Sequence, residues 1–266
     1  FETFSINFHM SLEGTDLDKL ALSTEKLLAG TDSEITTVGY YCNPIQYAEH
    51  RKTLENVICT AGKFGATHVS TFAGAWEGKP VESAYEEFGK VFRELADLAE
   101  EKGVKLGIEN CLMDGTWEHA TCNIGFNPKA WEVMFEEVKN DNFGLEWEPT
   151  HQMVQLIDPV TELRKWCKKI VHIHGKDATI DWDAVRHSGI SGAVPFVWHR
   201  MPGFGDTNWR DIISILRSNG YEDDICIEGY HDPVYSGELE MTGQLHALNY
   251  LKWCRGGDFT PTPWEK

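Results

Sequence analysis

No stretch of this sequence approaches 18 consecutive apolar residues, so nothing in it reads as a membrane-spanning helix. Basic residues are scarce. The chain has 24 Lys and Arg against 42 Asp and Glu, a formal charge of −18. A field of that sign repels phosphate backbones and anionic lipid, and no local basic patch offsets it. Nucleic acid and membrane surfaces are therefore excluded as expected partners. The seven cysteines are odd in number and widely spaced, and no C-x-x-C occurs, so they do not form a disulfide framework. They read as buried, reduced thiols, which implies a cytoplasmic protein. No signal-peptide pattern is visible, and the chain opens at Phe1 without a Met. No Gly-rich G-x-G-x-x-G turn follows the first strand, which removes the best pointer to a dinucleotide fold. No Gly-rich phosphate cradle or Arg cluster is present either, so an unphosphorylated substrate is expected. Finally, no linker divides the 266 residues.

What is present is a repeated alternation of short apolar strands with amphipathic helices. Strands are expected at 4–8, 35–41, 68–72, 104–109, 143–147, 170–174 and 225–228. The first helix starts near Asp16, with Leu17, Leu20, Leu27 and Leu28 as its apolar residues and Gly30 as its stop. A later helix has Asn127 as N-cap and Pro128 in its first turn. Such alternation implies a parallel sheet with crossover helices. A doubly wound sheet and a (β/α)8 barrel both satisfy it. The barrel is preferred because each strand from the fourth onward ends in a ligand-capable residue, and in a barrel those ends converge on one face. Residues 1–255 are expected to form this single domain, with 256–266 as a C-terminal arm. Only seven strands are clear, however. The segment AVPFVWH (193–199) is a weak eighth, because Pro195 demotes it.

Four strand ends carry the chemistry. Glu109 closes GIEN, Glu148 follows GLEW and opens EPTH, His174 opens HGKD, and Glu228 closes ICIE. Successive gaps are 39, 26 and 54 residues, compatible with one residue per strand–helix unit. A carboxylate just past an apolar strand is costly to bury unless it is paired or coordinated. Three converging carboxylates repel one another unless a cation lies between them. Three oxygen ligands and one imidazole suit Mn2+ first, with Mg2+, Co2+ or Zn2+ also compatible. Side chains alternate along a strand, so His172 and His174 share a face. His174 is taken as the ligand because it lies nearer the strand end.

The order Glu109, Glu148 with His151, His174 with Lys176 and Asp177, PGFG (202–205) and Glu228 resembles the xylose isomerase-like barrels. More narrowly it resembles their sugar phosphate isomerase/epimerase branch, which includes ketose 3-epimerases and inosose dehydratases. YYCNP (40–44) is similar to a segment after the family's third strand, and FETFSINF to its second strand. The resemblance thus places the four strand-end residues on strands five to eight and implies that the first strand and helix are missing from this chain. It also implies Glu109, Glu148, His174 and Glu228 as metal ligands, and a possible homo-oligomer. Two departures stand out: Glu148 occupies a position where the family usually has Asp, and a long insertion separates Asp177 from Trp209. Arg200, near the end of that insertion, resembles a substrate-contacting Arg of the ketose epimerases.

A divalent ion chelated by neighbouring oxygens of a hydroxy-ketone acidifies the intervening C–H and favours an enediolate. Glu109 and Glu228 are the expected acid/base pair. His151, Arg200 and Lys176 are candidate partners for substrate hydroxyls, and Trp117 a candidate stacking platform for a sugar face. Epimerisation, isomerisation and dehydration share the first step. The expected function is a metal-dependent isomerase or epimerase of an unphosphorylated ketose or keto-glycoside. The alternatives are a dehydratase of a keto-cyclitol or keto-sugar and a non-catalytic sugar-binding protein.

Overall fold

The computed structural model describes residues 1–257 and 260–262. Residues 258, 259 and 263–266 of the expected C-terminal arm lie outside the described residues. In chain order the elements are β1 (Thr3–His9), α1 (Leu17–Leu28), β2 (Glu34–Tyr41), α2 (Ala48–Ala61), β3 (His68–Thr71), α3 (Tyr85–Lys102), β4 (Lys105–Glu109), α4 (Pro128–Glu137), β5 (Phe143–Trp147), α5 (Pro149–Met153), α6 (Pro159–Trp166), β6 (Ile170–Gly175), β7 (Asp177–Ile180), α7 (Trp182–Ser188), β8 (Val197–Arg200), α8 (Trp209–Ser218), β9 (Cys226–Ile227) and α9 (Glu240–Cys254). Packing groups the chain into two units. One comprises residues 1–152, 168–174 and 223–226; the other comprises 153–167, 175–222 and 227 onward. Among the described residues no helix is long and apolar enough to cross a membrane.

The first unit is built on a sheet ordered β1-β2-β3-β4-β5-β6-β9, in which β1 to β6 pair in parallel. From β1 to β6 each strand's neighbour is the next in the chain, which is the pattern right-handed crossovers produce. β3, β4 and β5 are buried or nearly so along their whole length. β3 (HVST) is buried although three of its four residues are polar, whereas β4 and β5 carry Leu106, Ile108, Phe143, Leu145 and Trp147. α3 supplies the largest apolar stripe, with Phe88, Val91, Phe92, Leu95 and Ala99 buried. Phe88 and Phe92 stack on each other and pack against Phe143 of β5. Each such ring contributes about 1.5–3 kcal/mol on burial. Gly103, at φ 70°, ends the helix in the left-handed conformation that glycine adopts without penalty. Asn127 caps α4 by accepting the Lys129 N–H, as the sequence predicts.

α1 buries only Leu17 and Ala21, while Leu27 is 79 % exposed. Its buried residues lie in its first two turns, and its last turn points Leu27 to solvent. The strand expected at 225–228 is only two residues long, Cys226–Ile227. At the other end of the sheet order, Ser5 Oγ of β1 donates to Cys226 Sγ of β9 (3.2 Å).

In the second unit the insertion forms its own two-stranded antiparallel sheet, β7 with β8, in the register Asp177↔Arg200 to Ile180↔Val197. Pro195 precedes β8 and so removes no ladder hydrogen bond. The buried Asp177 carboxylate accepts the N–H groups of Gly203, Gly205 and Thr207, which anchors the PGFG loop. Burial raises Asp177 above the ordinary carboxylate range despite these donors. Gly203 has φ +94°, and a Cβ on Gly205 would collide with Asp177 Oδ1 and the Ala178 carbonyl. The HGKD and PGFG motifs therefore meet through one carboxylate. Trp209, Ile212 and Leu216 form the buried face of α8.

Candidate metal centre

Strand register places the polar side chains in layers. Glu109 of β4 is opposite Glu146 of β5, and Glu146 is opposite His172 of β6. Glu148 and His174 lie two residues further along their strands, on the same faces as Glu146 and His172. Glu109, Glu146, Glu148, His172 and His174 are all buried. Within the first unit, Glu109, Glu148 and His174 each offer one ligand atom within 4.8 Å of the others. His174 Nδ1 lies 3.1 Å from Glu109 Oε1 and 3.8 Å from Glu148 Oε2.

The backbone at these strand ends is fixed by two asparagines. Asn110 Oδ1 accepts the Glu148 N–H (2.7 Å), and its Nδ2 donates to the Glu148 carbonyl (2.9 Å). Asn123 Nδ2 donates to the carbonyls of Glu109 and Cys111, while its Oδ1 accepts the N–H groups of Ala73 and Gly125. The acids are thus held in place by hydrogen bonds to their main chain. His151, on the short α5, places Nε2 3.4 Å from Glu148 Oε1.

Glu146 is a residue the sequence reading passed over. It is fully buried and surrounded by donors. Ser70 Oγ donates to Oε1 (2.5 Å), and Tyr41 O–H donates to Oε2 (2.9 Å). His172 Nδ1 lies 2.7 Å from Oε1 and His174 Nε2 3.2 Å from it. Burial by itself would raise its pKa, but the two histidines and Ser70 outweigh that cost and hold it below the ordinary carboxylate range. The signal was available: Glu146 and Glu148, like His172 and His174, are spaced by two on neighbouring strands.

The remaining expected site residues are placed as follows. Trp117, in the loop after β4, donates its indole N–H to Glu82 and packs edge-on against Phe126. In the second unit, buried Lys176 donates to Glu228 Oε1 (3.0 Å). Arg200 Nε donates to Asp232 Oδ2 (3.3 Å), and its guanidinium lies over Phe204. Asp232 also accepts the N–H groups of Met201, Val234 and Tyr235.

A divalent cation fits this donor set. Two buried carboxylates and an imidazole within 4.8 Å form a hard-to-borderline group, and a cation between Glu109 and Glu148 offsets their repulsion. Among the described residues two other groups fall within the same 4.8 Å: Glu109 with Cys111 and His151, and Glu146 with His172 and His174.

Parallel strands joined by helices, with acids and a histidine at successive strand ends, define a β/α barrel of the metal-site type. A sequence profile of the xylose isomerase-like TIM barrel family matches residues 1–252, and the chain belongs to that family. The inosose dehydratase of Clostridium tetani is 26 % identical over 182 residues, which is 66 % of this chain and 57 % of that protein. The matched region thus spans less than two thirds of that relative. A crystal structure of D-psicose 3-epimerase in the presence of D-fructose superposes with a TM-score of 0.71 at 15 % identity, covering 97 % of this chain and 90 % of that one. The structure of the IolI protein with a bound zinc atom superposes with a TM-score of 0.66 at 20 % identity, covering 96 % and 86 %.

Proposed function

We propose that this chain is a divalent-metal-dependent sugar isomerase or epimerase acting on an unphosphorylated ketose or keto-glycoside. The observation that carries the reading is the approach of Glu109, Glu148 and His174, all buried, to within 4.8 Å at the ends of three successive strands. The family resemblance supplies Glu228 as the fourth ligand, and the set of three oxygen donors and one imidazole makes Mn2+ the first choice of metal. The bound ion would polarise the adjacent oxygens of a hydroxy-ketone and acidify the hydrogen between them. Glu109 takes that proton on one face of the substrate, and Glu228 returns one on the other. Inversion of the carbon is epimerisation; return of the proton to the neighbouring carbon is isomerisation. His151, 3.4 Å from Glu148, orients that carboxylate or meets a substrate hydroxyl. Arg200, Lys176 and Trp117 complete the proposed substrate contacts.

A second reading has its own support. The Clostridium tetani relative is an inosose dehydratase, and loss of a β-hydroxyl follows the same proton abstraction. One assay separates the readings. The metal-loaded protein is incubated in D2O with a panel of ketoses, keto-glycosides and inososes, and followed for deuterium at carbon, new epimers and an enone absorption. An epimer with deuterium that disappears on chelation supports the first reading. The enone supports the second. No exchange on any substrate, with metal bound, overturns both.

A further inference from the structure

A neutral imidazole has one N–H and one lone pair, and only the lone pair can ligate a metal. His174 lies between carboxylates on both sides. Nδ1 faces Glu109 and Glu148, and Nε2 faces Glu146 at 3.2 Å. The two sides differ in what holds the carboxylate. Glu146 is fixed by the hydroxyls of Ser70 and Tyr41 and by His172 Nδ1, so it is a stationary acceptor deep in the sheet. His172 Nδ1 lies 2.7 Å from Glu146 Oε1, a contact that needs a proton on Nδ1, while Nε2 lies 3.1 Å from Thr37 Oγ1 and 3.6 Å from Asp224 Oδ1.

Resting on the metal reading above, we infer that Glu146 is the positioning residue of the site. It holds the His174 proton on Nε2 and so delivers the Nδ1 lone pair toward Glu109 and Glu148. This is the carboxylate–histidine arrangement that fixes ring orientation and raises ligand basicity. The rival role is a cation held by Glu146, His172 and His174, whose ligand atoms are equally close. That cation would have to displace the Ser70 and Tyr41 hydroxyl protons from Glu146 and remove the proton from His172 Nδ1. Three donors already aimed at one carboxylate oppose it.

The test uses zinc-loaded protein labelled with 15N-histidine. The expected spectrum has the His174 proton on Nε2, protected from exchange, and none on Nδ1. Glu146→Gln is expected to weaken zinc binding about 10–100-fold in chelator competition, with the ring proton redistributed between the two nitrogens. A proton on Nδ1 of zinc-loaded wild type, or a folded Glu146→Gln with unchanged zinc affinity, overturns the assignment. If the variant fails to fold, the wild-type spectrum still decides. A protein that binds no zinc overturns the metal reading itself, and this inference with it; zinc bound with the proton misplaced overturns only the role of Glu146.

Discussion

Strand β4 ends at Glu109, yet its pairing with β5 continues one rung further through a side chain. The Asn110 carboxamide stands in for a peptide unit, accepting the Glu148 N–H at 2.7 Å and donating to the Glu148 carbonyl at 2.9 Å. Both residues are fully buried. Asn110→Ala removes both bonds and leaves two main-chain groups without these partners where water does not reach. Each such group costs about 1–3 kcal/mol, so about 2–5 kcal/mol is expected after partial relaxation. At about 2–4 °C per kcal/mol for a chain of this size, the Tm should fall by about 5–15 °C. The same change frees the backbone that carries the Glu148 carboxylate, so Mn2+ affinity should fall as well. Asn142→Ala is the control. Asn142 Nδ2 donates to the Val104 carbonyl at the opposite end of the same two strands. That variant should lose some stability and keep its metal affinity. The assay is thermal unfolding by circular dichroism with and without Mn2+, together with metal titration. An unchanged Tm for Asn110→Ala, or an equal loss of metal affinity in both variants, refutes the reasoning.

Other consequences are as direct. Gly205→Ala places a Cβ against Asp177 Oδ1 and the Ala178 carbonyl; it should cost about 1–3 kcal/mol as an overpacked contact, and proteolysis should become faster at the PGFG loop. Asp223 is held well below the ordinary carboxylate range, first by His68 and then by Lys105, against a desolvation cost. A depressed folded-state pKa gives stability that is present above the unfolded value of about 3.9 and lost as pH falls through the folded one. Asp223→Asn should therefore lower stability at pH 7 by about 1 kcal/mol, a figure limited by the partial exposure of the pair, with the difference from wild type shrinking in melts below about pH 4. Glu109→Gln should abolish deuterium exchange while leaving the far-ultraviolet spectrum unchanged; retained exchange removes Glu109 from the acid/base role.

Much of this was legible in the sequence because it depends on local pattern. Short apolar stretches marked β4 and β5, and Asn127 with Pro128 marked the start of α4. The strand-end acids stood out because a carboxylate after an apolar run demands an explanation. What escaped depends on contacts distant in the chain. Glu146 sits inside the apolar run FGLEW and looks like an outward-facing residue until His172, Ser70 and Tyr41 are brought to it. The PGFG loop is similarly opaque until Asp177, about 26 residues earlier, is seen to bind its N–H groups. The segment 193–199, offered as a weak strand, does contain β8, but its antiparallel partner β7 was not foreseen, because four residues carry too little alternation to mark a strand.

The central claim is that Glu109, Glu148 and His174 hold a divalent metal. Anomalous diffraction from a crystal of this protein loaded with Mn2+ tests it most directly. One peak is expected within bonding distance of all three side chains, on the Nδ1 side of His174. No peak, or a peak held instead by Glu109, Cys111 and His151, would contradict it.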